Sequence, residues 1–194
     1  MSYSFFAMMA RMKYIERWAL MRNSVTENIS EHCMEVAMLS HGLAIIGNEK
    51  CGCSYDLDKI ALMGLYHDAT EIITGDMPTP VKYHDQDIQK AYKRVEQVAS
   101  ATLLNMLPDY MQKYYEPIFL PVKGEDPELW RLVKAADKLS ALIKCIEEEK
   151  AGNGEFATAH NTIFMALTKM QLPEVEIFLK DFLPAYSQTL DELS

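Results

Sequence analysis

A chain of 194 residues, 49% of them hydrophobic, is long enough to bury one sizeable core without disulfides or structural metals. Its formal net charge of −9 argues against binding to nucleic-acid polymers, whose affinity depends on clustered Lys and Arg. A small phosphorylated ligand is not excluded, because one metal ion and one or two bases suffice locally. We therefore expect a single domain covering residues 1–194 and no nucleic-acid polymer as a partner.

The start of the chain and its cysteines indicate the compartment. The apolar residues near the N-terminus are interrupted by Arg11 and Lys13, so the continuous apolar core of a signal peptide is missing, and no run reaches membrane-spanning length. Cys51 and Cys53 could hold a soft metal, but no second cysteine pair stands at zinc spacing, which favours an ordinary loop. We expect free thiols, no membrane partner and a cytoplasmic protein.

The first predicted helix covers roughly Phe5 to Ile15, and a segment of mixed character follows it. This segment contains Arg17-Trp18, which supplies a phosphate-binding fork beside a flat apolar surface. The alternative is a half-buried Trp with a solvated Arg. Without further context the pair by itself favours that alternative.

The second predicted helix begins at Asn28, which acts as N-cap with Glu31 three residues later, and it ends at Gly47-Asn48. Its apolar stripe runs along one face, and a step of four residues back from Val36 reaches His32. The stripe therefore predicts that His32 points at the core. His41 lies close to the opposite side and is expected to be exposed rather than a ligand.

The third predicted helix begins at Asp56 or Asp58 and carries an apolar face that continues into His67-Asp68-Ala69-Thr70-Glu71. Glu71 stands four residues after His67 and three after Asp68, the spacings at which helical side chains meet. The trio is therefore expected to face inward, where isolated charges are costly unless they are paired or bind a metal. A helix end with local hydrogen bonds and a solvated Glu71 is an equally supported alternative.

The rest of the chain predicts an all-α fold. The loop from Gly75 to Pro80 is stiffened by two prolines and places Asp76 beside the end of the third predicted helix. The alternative is that Asp76 only forms a turn, which is the usual role of such an Asp. Further helices are predicted for residues 86–106, 110–119 and 127–150 and on both sides of Pro173. The pair Asp126-Pro127 is a strong helix start. The helix after it places Asp137 on its inner face.

Three helices thus carry metal-ligand chemistry on apolar faces: His32, then His67 and Asp68, then Asp137. Any one of them alone is better explained as a satisfied core polar residue. Together they are harder to explain that way, because buried carboxylates and imidazoles need one another or a cation. Two His and two Asp suit an octahedral divalent ion such as Mn, Co, Fe or Ni, with positions left for water and a phosphate oxygen.

The ordered set of motifs resembles the HD-domain metal phosphohydrolases, and among them the bacterial YfbR-type 5′-deoxynucleotidases. The resemblance extends from the N-terminal helix to near the C-terminus, with a weaker match between residues 119 and 125. The motifs that carry it are Arg17-Trp18, Glu27-Asn28 with Ser30-Glu31-His32, Tyr66-His67-Asp68-Ala69 with Glu71, the segment from Thr74 to Tyr83, and Lys134 to Asp137.

The resemblance implies a single HD-domain helical bundle and a homodimeric, cytoplasmic enzyme. Such an enzyme removes the 5′-phosphate from deoxyribonucleoside monophosphates with a divalent metal, typically Co or Mn. By motif, Glu71 and Asp76 would act on the attacking water and the departing oxygen. The implied metal ligands are His32, His67, Asp68 and Asp137, and the implied substrate contacts are Arg17, Trp18, His32, Asp76, Pro78, Thr79 and Lys82.

Some of these roles have alternatives. The Trp18 ring would fill the space that a 2′-hydroxyl needs, whereas a solvated Lys82 is at least as well supported as one that attracts phosphate. A different HD-type hydrolase, acting on cyclic nucleotides or nucleoside triphosphates, would share the metal set but not Arg17-Trp18 or the segment from Asp76 to Pro80. A non-catalytic nucleotide-binding or partner-binding helical module is disfavoured by the intact ligands and by Glu71.

Overall fold

The structure, a computed structural model, describes residues 2–82, 84–119 and 126–193, without the side chain of Thr79. Regular structure in these ranges is helical, and the one extended pairing there is an isolated antiparallel bridge between Glu16 and Asn28. This confirms the all-α prediction. Within the same ranges, no helix combines the length and the apolar character needed to cross a membrane.

The described part of the chain contains ten α-helices joined by short 3-10 helices and turns. The α-helices are α1 (Phe5–Met9), α2 (Ile29–Lys50), α3 (Leu57–Tyr66), α4 (Glu71–Thr74), α5 (Thr79–Lys82), α6 (Gln86–Leu104), α7 (Asp109–Phe119), α8 (Pro127–Lys150), α9 (Ala157–Lys169) and α10 (Pro173–Asp181). The 3-10 helices are Ala10–Tyr14, Gly154–Phe156, Leu183–Ser187 and Leu190–Glu192.

Backbone contacts divide the chain into two compact units, of which the first comprises Met1–Arg22, Thr26–Cys33 and Tyr66–Glu125. One of its apolar clusters is built on aromatic rings: the centroid of the buried Phe5 ring lies 4.9 Å from that of Tyr115 and 5.9 Å from that of Phe119, both edge to face. A second cluster contains Met12, Ile29 and Cys33. One of its members, Cys33, directly follows His32 in the chain.

The second unit comprises Asn23–Val25, Met34–Leu65 and Asp126–Ser194. Helix α8 is its central element, since residues on most of its faces are buried. The predicted stripe of α2 packs in the same core. Helix α3 approaches α2 closely at Gly64, where an added Cβ would lie 2.8 Å from the Cα of Ala37, so only glycine fits. The prediction of a single domain for the whole chain stays a prediction.

Several helix boundaries differ from those predicted. The first predicted helix is α-helical only to Met9 and then tightens into a 3-10 helix. Helix α2 does not end at Gly47 but continues to Lys50, because the Asn48 side chain accepts from the Tyr55 backbone N–H at 2.7 Å and donates to its carbonyl at 3.0 Å. Both Asn48 bonds secure the following loop and leave the helical backbone intact.

Two predicted helix starts had different outcomes. The Asn28 Oδ1 accepts from the backbone N–H groups of Ser30 and Glu31 at 3.0 and 3.1 Å, which confirms the predicted cap. Asp126 precedes α8 as predicted but has φ of 48° and makes no side-chain cap. Its carboxylate accepts from Lys59 instead. The proline at the first position of α8 therefore marks the start of the helix without a capping hydrogen bond.

Candidate active site

The segment from His67 to Thr70 forms tight turns between α3 and α4. The backbone N–H of Ala69 donates to the Tyr66 carbonyl at 3.1 Å, and that of Glu71 donates to the Asp68 carbonyl at 2.9 Å. These bonds span three residues rather than four, so the prediction that one helical edge presents His67, Asp68 and Glu71 is wrong in its backbone geometry. The side chains of His67 and Asp68 nevertheless converge, with Nε2 3.1 Å from Oδ2.

Four predicted ligands come together. One ligand atom from each of His32, His67, Asp68 and Asp137 lies within 4.8 Å of the others. His32 is buried, and its Nε2 lies 3.5 Å from the Asp68 Oδ2. Two imidazoles and two carboxylates at this separation form a donor set that fits a divalent cation. His41, which was expected to be exposed rather than a ligand, is half-buried and is not in this group.

The Nδ1 atoms of the two imidazoles face other side chains. The Nδ1 of His67 lies 3.8 Å from the Cys33 Sγ, and the Nδ1 of His32 lies 3.9 Å from a carboxylate oxygen of Glu27. Each ring therefore directs its Nε2 towards Asp68. A contact such as that of Cys33 with His67 holds the orientation of a histidine that presents its other nitrogen to a metal, whereas the 3.9 Å between Glu27 and His32 exceeds the length of a hydrogen bond.

The charges of His67 and Asp68 stabilise each other. Burial by itself would lower the pKa of His67, but the Asp68 carboxylate and its hydrogen bond raise it well above the ordinary value. Burial would likewise raise the pKa of Asp68, but the neighbouring imidazoles hold it well below the ordinary value. Asp68 is therefore a carboxylate at neutral pH and is ready to act as a ligand.

Glu71 and Asp76 lie in a less favourable environment for negative charge. Glu71 is 7% exposed, and burial, together with the charges of Asp68 and Asp76, raises its pKa to about 9. Burial also raises the pKa of Asp76, although Arg17 and a hydrogen bond from the Trp18 backbone counteract it. Shifted carboxyl groups beside a cluster of ligands are typical of a catalytic site.

Arg17 and Trp18 are held in an unusual backbone turn. The backbone N–H of Arg17 donates to the Glu27 carbonyl at 2.9 Å, and Trp18 then takes φ of 60°. A bulky residue in this left-handed region costs about 1–3 kcal/mol and persists only where surrounding contacts impose it. The guanidinium Nη1 of Arg17 lies 3.6 Å from the Asp68 Oδ2, so Arg17 is adjacent to the ligand group.

Lys82 is partly buried and is not the solvated lysine of the alternative interpretation. Its Nζ donates to the Glu96 carboxylate at 2.9 Å and lies 4.6 Å from the centroid of the Tyr92 ring. Despite burial, these partners raise the pKa of Lys82. The carbonyl of Pro78 accepts a hydrogen bond from the backbone N–H of Lys82 at 3.0 Å. Pro78 therefore directly precedes α5 and accepts the first hydrogen bond of that helix. The side chain of Thr79 lies outside the described part of the chain.

Three residues make contacts at the site that were not predicted: Glu27 with Arg17 and Trp18, Cys33 with His67, and Glu96 with Lys82. In the sequence, Glu27 stands out only as part of a motif. It lies in a loop before α2, where no hydrophobic period indicates the direction of a side chain. The antiparallel bridge that brings Glu16 beside Asn28 is too short to give an alternating pattern.

Comparison with known sequences places the chain in a family. The family model described as YfbR-like 5′-deoxynucleotidase matches residues 4–186. The 5′-deoxynucleotidase VP0926 of Vibrio parahaemolyticus is 45% identical over 190 residues, which cover 98% of this chain and 97% of the relative. The 5′-deoxynucleotidase plu3092 of Photorhabdus laumondii is 46% identical over 190 residues, covering 98% of this chain and 96% of the relative.

Solved structures with similar folds are more distant in sequence. An HD-domain phosphohydrolase from Listeria innocua has a TM-score of 0.81 and 20% identity, covering 94% of this chain and 88% of the other. The HD phosphohydrolase DatZ of cyanophage S-2L, bound to dA and one catalytic Zn²⁺ ion, has a TM-score of 0.65 and 17% identity, covering 94% and 96% of the two chains. The described helices thus have the HD phosphohydrolase fold, and the chain belongs to the YfbR-like family of 5′-deoxynucleotidases.

Proposed function

We propose that this chain, a 5′-deoxynucleotidase by its family, uses His32, His67, Asp68 and Asp137 to hold the divalent ion with which it hydrolyses deoxyribonucleoside 5′-monophosphates. The observation that carries this proposal is the convergence of one ligand atom from each residue within 4.8 Å. When bound, a divalent ion supplies positive charge to a phosphoryl oxygen and lowers the pKa of a coordinated water. The Zn²⁺ ion and dA named for the cyanophage protein also support this proposal.

Arg17 and Trp18 are our proposed contacts to the phosphate and the sugar. Arg17 is a planar donor suited to phosphate, and its Nη1 already lies 3.6 Å from Asp68. Trp18, fixed at a positive φ beside it, presents a rigid ring that would occupy the space of a 2′-hydroxyl. A ribonucleotide is then rejected by a steric clash rather than by a missing hydrogen bond.

Glu71 and Asp76 are our proposed proton-handling groups. The Oε2 of Glu71 is buried and has no hydrogen-bond partner among the described residues, so this atom is suited to orient a water molecule. With its pKa raised to about 9, the carboxyl group holds a proton at neutral pH, and the positive charge of a bound divalent ion would favour the carboxylate form that can deprotonate the water. Asp76 has a raised pKa and therefore holds a proton more readily than an ordinary Asp. We assign it the donation of that proton to the departing 5′-oxygen, which leaves deoxyribonucleoside and phosphate as products.

The remaining proposed substrate contacts lie on the loop and on α5. The Lys82 Nζ is bound to Glu96, so we propose that Lys82 attracts phosphate through its charge and not through a direct bond. Pro78 and Thr79 would border the nucleoside on the same segment. His32 would contact the substrate through the phosphate oxygen that approaches the ligand group.

We also propose that the enzyme is a cytoplasmic homodimer that uses Co or Mn. The four cysteines are all free thiols, which suits a reducing compartment. Met34 and Met38 on α2 are 55% and 60% exposed, and Leu62 on α3 is 47% exposed. Large apolar side chains exposed on neighbouring helices of one unit support a second copy as a partner. Histidine and carboxylate ligands together are compatible with either metal.

Phosphate release from dAMP and AMP, measured side by side with Co, with Mn and with a chelator, tests the proposal. We expect chelator-sensitive turnover of dAMP and a kcat/KM for AMP lower by at least about tenfold, equivalent to about 1.4 kcal/mol. Equal turnover of both would contradict the role of Trp18 but not the reaction. Turnover of neither would contradict the assignment of substrate and favour another HD-type reaction or a binding module.

A further inference from the structure

The carboxylate of Glu27 joins the two residues proposed to contact the nucleotide. Its side chain is 14% exposed, and its Oε2 accepts a hydrogen bond from the indole Nε1–H of Trp18 at 2.9 Å. The same oxygen accepts from the Nε–H of Arg17 at 3.3 Å. Both donors are thus held by one oxygen of a residue that lies in the loop before α2.

This arrangement restricts the rotation of both side chains. The indole of a half-buried Trp has a single donor, so one acceptor at 2.9 Å sets the direction of its ring. The Arg17 guanidinium is planar, and the bond from its Nε–H to Glu27 helps to fix that plane, with Nη1 3.6 Å from the Asp68 Oδ2. The backbone bond from Arg17 to the Glu27 carbonyl at 2.9 Å holds the two segments together.

A direct effect of Glu27 on the ligand group is weaker. Its other oxygen, Oε1, lies 3.9 Å from the Nδ1 of His32, which is beyond the length of a hydrogen bond. The contacts at 2.9 and 3.3 Å therefore dominate. A change of Glu27 should therefore affect the proposed sugar and phosphate contacts, Trp18 and Arg17, more than it affects metal binding through His32.

We infer that Glu27 is a positioning residue that sets the discrimination between deoxyribose and ribose by fixing the Trp18 ring through its Nε1–H. The inference rests on the proposed function, in which Trp18 excludes a 2′-hydroxyl. When the Trp18 ring is fixed, it cannot rotate away from a 2′-hydroxyl and therefore excludes it. When the ring loses its hydrogen-bond acceptor, it can rotate and leave room for the 2′-hydroxyl. Discrimination is therefore a property of Glu27 and Trp18 together.

The test is the ratio of kcat/KM for dAMP to that for AMP in matched variants. Glu27→Ala removes the acceptor and should lower the ratio by about tenfold, the factor expected for about 1.4 kcal/mol from a lost hydrogen bond. Glu27→Gln retains a carbonyl that can accept both bonds and should keep the ratio within about twofold of wild type. Trp18→Ala removes the ring itself and gives the lowest ratio expected among the variants. Glu16→Ala removes an exposed carboxylate from the same bridge and serves as the control.

A second readout does not depend on activity. The chain has two tryptophans, so a Trp130→Phe background isolates the emission of Trp18. In metal-free protein without substrate, Glu27→Ala should increase quenching of Trp18 by acrylamide at least about twofold, as expected when a ring loses its anchoring bond. Glu27→Gln and Glu16→Ala should leave the quenching of Trp18 unchanged. This measurement keeps its meaning even where the wild-type enzyme shows no preference for dAMP, an outcome that contradicts the proposed filter.

Two results would overturn the inference. One is a Glu27→Ala variant that slows dAMP and AMP by the same factor and leaves Trp18 quenching unchanged, which would make Glu27 merely structural. The other is a Glu27→Gln variant as unselective as Glu27→Ala, since charge would then matter and the indole bond would not. Where Glu27→Ala fails to fold, Glu27→Asp, shorter by about 1.5 Å, must lower the ratio in the same way.

Discussion

At the scale of single residues, the site contains two carboxyl groups whose pKa values are shifted in opposite directions. Asp68 is held charged by the two imidazoles, whereas Glu71 is buried beside it and has a pKa of about 9. Burial raises the pKa of both groups, but the two imidazoles and their hydrogen bonds outweigh it at Asp68, whereas the negative charges of Asp68 and Asp76 add to it at Glu71. Two carboxyl groups in neighbouring positions can therefore take different roles, one as a ligand and one in proton transfer.

Glu71→Gln is the substitution that tests the proton-transfer role. It keeps the size of the side chain but removes the basic oxygen, so we expect kcat for dAMP to fall by about 10²–10⁴-fold, the usual contribution of a general base. The proposed ligands are untouched, and metal affinity should change little. Turnover under saturating metal and a separate binding isotherm for the metal measure the two effects. Wild-type turnover in the variant would contradict the role, and Glu31→Gln on α2 serves as an exposed control.

At the scale of the elements, the segment from Ser24 to Val25 is held to α8 by a buried carboxylate. Glu148 accepts from the backbone N–H of Ser24 at 2.8 Å and from the Asn153 side chain at 2.8 Å, and it pairs with Lys144. Burial alone would raise the pKa of Glu148, but these bonds hold it well below its ordinary value of 4.5. The ion pair therefore belongs to the folded state, where each charge satisfies the other.

Glu148→Gln should destabilise the fold by about 3–5 kcal/mol at pH 7, because Lys144 loses its partner in a buried position. A carboxyl whose pKa is lowered by folding stabilises the protein above its unfolded pKa and ceases to do so as the pH falls. The difference between wild type and variant should therefore shrink as the pH falls below 4.5. Urea unfolding at pH 7 and pH 3 measures it, with the exposed Glu176→Gln as control. A difference that is constant with pH would contradict the role of the charge.

The elements also show what the sequence could and could not predict. Helix α8 was predicted with correct ends because Pro127 marks its start and Gly152-Asn153-Gly154 breaks the helical pattern after Lys150. The end of α3 was placed too late, because the turns from His67 to Thr70 interrupt no apolar stripe. Polar residues on apolar faces identified the ligand group. The hydrogen bonds of Glu27 were not predicted. Glu27 lies in a loop, where no hydrophobic periodicity indicates the direction of a side chain, and its partners Arg17 and Trp18 come from another segment.

At the scale of the whole molecule, the proposed ligands are separated by more than a hundred positions of sequence, from His32 to Asp137, and meet only in the folded chain. The unfolded chain cannot reproduce this donor set, so a divalent ion should bind the folded state far more tightly. Binding should then raise the free energy of unfolding in proportion to the logarithm of the metal concentration.

Thermal unfolding with increasing Co or Mn tests this linkage. At about a hundredfold excess over Kd the gain is about 2.7 kcal/mol, which for a chain of this size corresponds to a rise in Tm of about 5–10 °C. Asp68→Asn should abolish most of the rise, because it removes the carboxylate that both Nε2 atoms approach within 3.1 and 3.5 Å. Asp58→Asn, an exposed change in the first turn of α3, should keep the full rise. An equal rise in both variants would assign the metal to another place on the protein, such as the thiols of Cys51 and Cys53, and would contradict the proposed ligand set.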